Sequence, residues 1–295
     1  MRISEAFDEY RKIRIRGKGC SKNTDKAYFY TSKVVIRYFG DVNIRHVTSD
    51  KIASFYLELV NPESIRTSRV SRNTAREYVM KLRLVIGYCK NSGMWVENPD
   101  KICLPKPEKK FASFLTREEF EKFLKAMAES GRGYSEVNRE RNVLIVKILF
   151  YTGLRIGELC ALNRNSIKDG QCVIIGKSKE PRPCYFNTEL QQDIDRFLSL
   201  RKDGEEALFI ANETGKRVTP HNIEQVFRRV SKKSGVCKVT PHTLRHSFAT
   251  QLIEHGVDIR YVAAFLGHQN LNTTRRYTHV RNMRLREIHE EVFGK

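Results

Sequence analysis

Residues 171–186 read QCVIIGKSKEPRPCYF, and their composition breaks with everything around them. Val173, Ile174 and Ile175 are β-branched, Tyr185 and Phe186 are aromatic, and Gly-Lys-Ser-Lys lies between the two groups. This pattern predicts a β-hairpin, because such side chains fit a pleated surface and glycine lets the chain reverse. The GKS triplet also invites a nucleotide-binding reading. A phosphate-binding loop needs a glycine at position 171, which is Gln, and Gly170 stands one residue too early. That motif also runs from strand into helix, whereas here a turn leads into a strand. ATP binding is therefore rejected. What remains is Lys177 at a hairpin tip, long enough to reach a ligand and equally common as turn decoration, with Lys179 two places on.

Outward from the hairpin the periodicity is helical. Upstream, FLTREEFEKFLKAM (114–127) opens with Thr116 and Glu119 in a capping-box pattern, and RNVLIVKILFYTGLRIGELCAL (141–162) is a buried apolar helix broken at TGLR. Downstream, QQDIDRFLSLRK (191–202), TPHNIEQVFRRVSKKSG (219–235), TPHTLRHSFATQLIEHG (240–256) and DIRYVAAFLGH (258–268) read as successive helices with glycine stops. Four more helical segments fill the first hundred residues: about 4–15 with Ser4 as N-cap, 21–40, 48–60 and 71–93. NPDKICLPKPEKKF (98–111), with three prolines and four lysines, reads as a linker. The expectation is a mainly α fold with a small β-sheet (α+β), divided into a helical domain at 1–98, a linker at 99–113 and a second domain at 114–295.

Fifty-four Lys+Arg against 34 Asp+Glu give a net charge of +20. Residues 1–110 hold 23 basic and 12 acidic residues, and the remainder 31 and 22, so the excess is spread over both halves. Such a field favours a long polyanion, most simply nucleic acid. No apolar run approaches a membrane span, and the start lacks the apolar core of a signal peptide. Seven scattered cysteines without a CxxC pair fit reduced thiols, so a cytoplasmic location is expected.

Four places carry chemistry. Arg155 interrupts an apolar helix entry and must pair or reach solvent, and Glu158, three residues on, is its natural partner. His242 and Arg245 share a face near the N-terminus of a helix that Thr240 caps and Pro241 opens, a setting suited to an anion. His242 and His246 also stand at i, i+4, but no HExxH pattern is present, so no metal is expected. Arg72, Arg76, Arg83 and Lys90 form a basic stripe beside the apolar face of the fourth helix. A stripe of this kind is usually a solvated face, and in so basic a chain it is also a candidate for phosphate contact. Finally, Tyr277 follows Arg275 and Arg276 and precedes His279, a phenol set among cations.

In order, the chain offers TGLRxxEL, a hairpin lysine, HxLRH, LGH and a tyrosine nine residues after the LGH histidine. This series resembles the tyrosine recombinases, or phage integrase family, and most closely their Xer-type and integron- or transposon-associated members. The resemblance covers almost the whole chain. It implies an N-terminal four-helix SAM-like core-binding domain and a catalytic domain whose tail, about 281–295, docks on a neighbouring subunit or on its own domain. Carried over position by position, it implies catalytic roles for Arg155, Lys177 (with Lys179 as the alternative register), His242, Arg245, His268 and the nucleophile Tyr277, with Glu158 in support.

Its implied activity is site-specific cutting and rejoining of double-stranded DNA through a 3′-phosphotyrosine and a free 5′-hydroxyl, in a homotetramer, without metal or cofactor. An accessory or partner recombinase and a nucleoid-associated location are further implications. The rival expectations are a type IB topoisomerase-like nicking-closing enzyme and a catalytically silent architectural DNA-binding protein.

Overall fold

The computed structural model describes residues 1–63, 69–108, 113–130, 135–176, 180–211, 214–236 and 238–267. Lys177, Lys179, His268, Tyr277 and the tail at 281–295 lie outside the described residues. The chain divides into two compact units, Met1–Lys110 and Phe111–Lys295.

In the first unit, serine caps set two of the helix starts. Ser21 accepts from the Thr24 amide ahead of α2 (Lys22–Phe39), and Ser71 from the Thr74 amide ahead of α4 (Arg72–Asn91). The remaining helices are α1 (Ile3–Tyr10), continued by a wide turn over Arg11–Arg16, and α3 (Ser49–Val60). The expected Ser4 cap is displaced. Arg2 holds the N-cap position, and the Ser4 hydroxyl donates instead to Asp41 at 2.7 Å. Phe7, Val35, Phe55, Val79, Leu82 and Ile86 close this core.

Residues 99–108 of the expected linker pack on this unit. Ile102 lies in its core, and the Arg76 Nε–H donates to the Pro105 carbonyl at 2.9 Å.

The second unit is built on α6 (Glu136–Thr152). This helix packs against α5 (Arg117–Ser130), α8 (Thr188–Leu200) and α10 (Pro241–Glu254). Phe120 of α5 stacks on Phe150 of α6 at 3.6 Å, and Phe123 meets Phe227 of α9 (Pro220–Lys233). Each buried ring contributes about 1.5–3 kcal/mol, more than the roughly 1 kcal/mol of a good cap. Packing therefore holds α6, while caps set where its neighbours begin. Thr116 and Glu119 do exchange the predicted reciprocal bonds at 2.9 and 3.2 Å, and Thr240 accepts from the Thr243 amide at 3.0 Å.

The predicted hairpin is present as β1 (Gln171–Ile175) antiparallel to β2 (Pro181–Tyr185), with Cys172 opposite Cys184. Its inward face carries Cys172, Ile174, Arg182 and Cys184. The two cysteines are free, buried thiols. The architecture is mainly helical with one two-stranded sheet among the described residues. No helix among them is long and apolar enough to cross a membrane.

One close approach sets the site. Gly153 ends α6 in the left-handed region, at φ 63°. A Cβ there would stand 2.4 Å from Cδ1 of Phe248 on α10. Only glycine meets both conditions. The contact brings α10 against the TGLR turn, within reach of α7 (Ile156–Ala161).

Candidate active site

Arg155 occupies the N-cap of α7, so its backbone and side chain both face Glu158 one turn on. Its amide donates to Glu158 Oε2 at 2.8 Å and its Nη1 to Oε1 at 2.8 Å. This is the partner expected from the spacing. Arg245, one turn into α10, is 3% exposed. Its Nη1 donates to the Gly153 carbonyl at 2.6 Å and lies 4.0 Å from Glu158 Oε2, while its Nη2 donates to the Leu266 carbonyl. His242 is exposed and sets its ring edge-on to His246, with centroids 4.5 Å apart.

Arg155, His242 and Arg245 line one open cleft of about 870 Å³. Its lining also includes Leu154, Phe227 and Val239, the further cations Arg228, Lys232 and Lys238, and one carboxylate, Glu224. Such a cleft favours an anion with an extended body.

A third arginine joins them, and the sequence reading passed it over. Arg182 projects from the inner face of β2 and grips Glu158 with both ends of its fork, Nη1 to Oε1 at 3.0 Å and Nη2 to Oε2 at 2.7 Å. Its Nε–H donates to the Phe265 carbonyl at 3.0 Å, and Arg155 Nη2 donates to Gly267 O at 3.2 Å. With Arg245 on Leu266, three arginines hold the three carbonyls that close α11 (Ile259–Leu266) and its glycine cap. The only sequence signal was an arginine at an inward strand position, where a charge needs a partner.

The basic stripe is engaged within its own unit. Arg72 pairs with Glu108 at 3.5 Å, Arg76 holds Pro105, Arg83 pairs with Asp100 at 3.3 Å, and Lys90 donates to Asn98 at 3.0 Å.

Comparison with known proteins shows the family. The phage integrase family model matches residues 113–284. Tyrosine recombinase XerA of Thermococcus kodakarensis is 30% identical, over 98% of this chain and 95% of its own.

The chain belongs to the phage integrase family.

Among solved structures, the crystal structure of XerA recombinase superposes with a TM-score of 0.52 at 26% identity, covering 99% of this chain and 98% of that one. The XerH site-specific recombinase, in a post-cleavage complex with a palindromic difH substrate, shares the fold, with a TM-score of 0.70, 24% identity and coverage of 96% and 84%. The integrase match spans every position carried over from the resemblance, from Arg155 to Tyr277.

Within this cluster, burial pushes the Glu158 carboxyl up, but hydrogen bonds from Arg182 and Arg155 outweigh it and hold the pKa below the usual range. A carboxylate depressed in the folded state stabilises fully above its unfolded pKa of about 4.3 and loses that stabilisation as pH falls through the lower folded value. The gap in thermal midpoint between wild type and Glu158→Gln is therefore expected to narrow as pH drops from about 6 to about 3. Thermal melts across this range check it, and a constant gap would contradict the linkage.

Proposed function

We propose that the chain is a site-specific DNA recombinase that cuts and rejoins strands through a 3′-phosphotyrosine on Tyr277. The observation that carries this reading is the convergence of Arg155, Arg245 and His242 on one cationic cleft. Two guanidiniums match the two non-bridging oxygens of a phosphodiester and stabilise the charge gained in the pentacoordinate transition state. His268 adds a donor there, His242 takes the phenol proton, and Lys177 protonates the leaving 5′ oxygen. The covalent link conserves the phosphodiester for rejoining, so neither ATP nor metal is needed. Exchange between two sites calls for a homotetramer, with the tail at 281–295 docking between copies.

The first unit adds backbone contacts through the α4 stripe. The pairs of Arg72 with Glu108 and of Arg83 with Asp100 have one or both members well exposed. Such pairs are worth about 0–1 kcal/mol, so a DNA phosphate competes for these cations on favourable terms.

The test is a covalent trap. DNA fragments are incubated with the protein in EDTA, free protein and noncovalent complexes are removed by denaturation, and the bound strands are sequenced to give the site. A nicked duplex of that site is expected to yield a slow band on a denaturing gel that protease removes. Absence of any adduct under these conditions would refute the proposal.

A further inference from the structure

Glu158 sits where a carboxylate is electrostatically awkward. It lies against Arg155 and Arg245, the two cations assigned to the scissile phosphate. Left to itself, it would bind Arg155 tightly and cancel charge that the transition state needs. Arg182 offsets this charge, while Arg155 keeps its own bond to Oε1 at 2.8 Å. Arg182 is 8% exposed, and its fork covers both carboxylate oxygens. The group of Glu158 and three arginines thus carries a net charge of +2, equal to the charge on Arg155 and Arg245 alone.

Arg182 is not a phosphate ligand in this arrangement, because it lies outside the lining of the cleft that Arg155 and Arg245 share and its fork rests on Glu158. Its stem also fixes the chain. A Cβ on Gly267 would lie 3.0 Å from Arg182 Cδ and 3.2 Å from Nε, and Gly267 sits in the left-handed region at φ 61°. The glycine is thereby clamped between Arg182 and the Arg155 Nη2–H on its carbonyl. His268 is the next residue in the chain.

We infer that Arg182 is a positioning residue for strand cleavage. It neutralises Glu158 and fixes the carbonyl end of α11, so that Arg155 and Arg245 stay charged and aimed at the phosphate. This inference rests on the proposed roles of Arg155 and Arg245, and the experiment separates the two.

Single-turnover adduct formation is measured on the trapped nicked site at saturating DNA, with DNA affinity and thermal midpoint recorded in parallel. Arg182→Met is expected to slow adduct formation about a hundredfold, the scale of an ångström-sized misplacement of catalytic groups, with affinity nearly unchanged. Adding Glu158→Gln removes the unneutralised carboxylate, so the double variant is expected to be at least about tenfold faster than Arg182→Met, half of that loss on a logarithmic scale. A merely structural arginine would show its loss and recovery in the thermal midpoint, with the adduct rate of the folded protein unmoved. Arg182→Lys keeps the charge and loses the fork, and is expected to fall between Arg182→Met and wild type.

The double variant removes one charge of each sign, so the group keeps its net charge of +2. If Arg182→Met does not fold, the double variant and Arg182→Lys give the reading, both being expected to cleave below the wild-type rate. Wild-type rates in the Arg182 variants, or a double variant no faster than Arg182→Met, would overturn the inference. Arg155→Ala is the control: its cleaving normally would overturn the underlying site, whereas an inactive Arg155→Ala beside a fully active Arg182→Met overturns the role of Arg182 alone.

Discussion

Tyr277→Phe is expected to form no covalent adduct while still binding its DNA site. The phenylalanine keeps the ring and loses only the oxygen that attacks phosphorus. One lost hydrogen bond alters affinity by at most about tenfold, whereas loss of the nucleophile removes the reaction. A phenol of pKa about 10 is only about a thousandth ionised at pH 7, so the reaction draws on a base and a cationic field as well as on the oxygen itself. Denaturing gels with the nicked site check the adduct, and filter binding checks affinity. An adduct formed by Tyr277→Phe at the wild-type rate would move the nucleophile elsewhere.

The second large effect is expected at Lys177. A general acid contributes about 10²- to 10⁴-fold, and only when its leaving group is a poor one. Sulfur in place of the 5′ bridging oxygen leaves without a proton. Lys177→Ala is therefore expected to cut cleavage of ordinary DNA by that factor and to be largely restored on the sulfur-substituted strand. Arg155→Ala is expected to remain inactive on both, because its work is on the non-bridging oxygens. Loss and rescue in Lys179→Ala, with Lys177→Ala normal, would place the acid two residues later in the hairpin.

Features governed by near neighbours in the chain were readable from sequence. Thr116 with Glu119, Thr240 with Thr243, and Arg155 with Glu158 are all three residues apart. The hairpin announced itself by composition. What stayed hidden depends on contacts across long stretches of chain. Arg182 meets Glu158 from 24 residues away and Phe265 from 83. No local pattern distinguishes it from an ordinary strand residue between two prolines. The α4 stripe looked solvated because its partners at 98–108 belonged to an apparent linker. Cys172 and Cys184 looked scattered until the strand register set them face to face.

The clamp on Gly267 also sets a leash. Tyr277 stands ten positions after it, and a chain of that length spans at most about 35 Å whatever path it takes. The backbone of Tyr277 is thus confined to a sphere centred on the end of α11, and any subunit whose anchor lies farther from a given phosphate than that radius plus the length of the phenol side chain is barred from attacking it. In an assembly of several copies, distance would then exclude some pairings of tyrosine and strand.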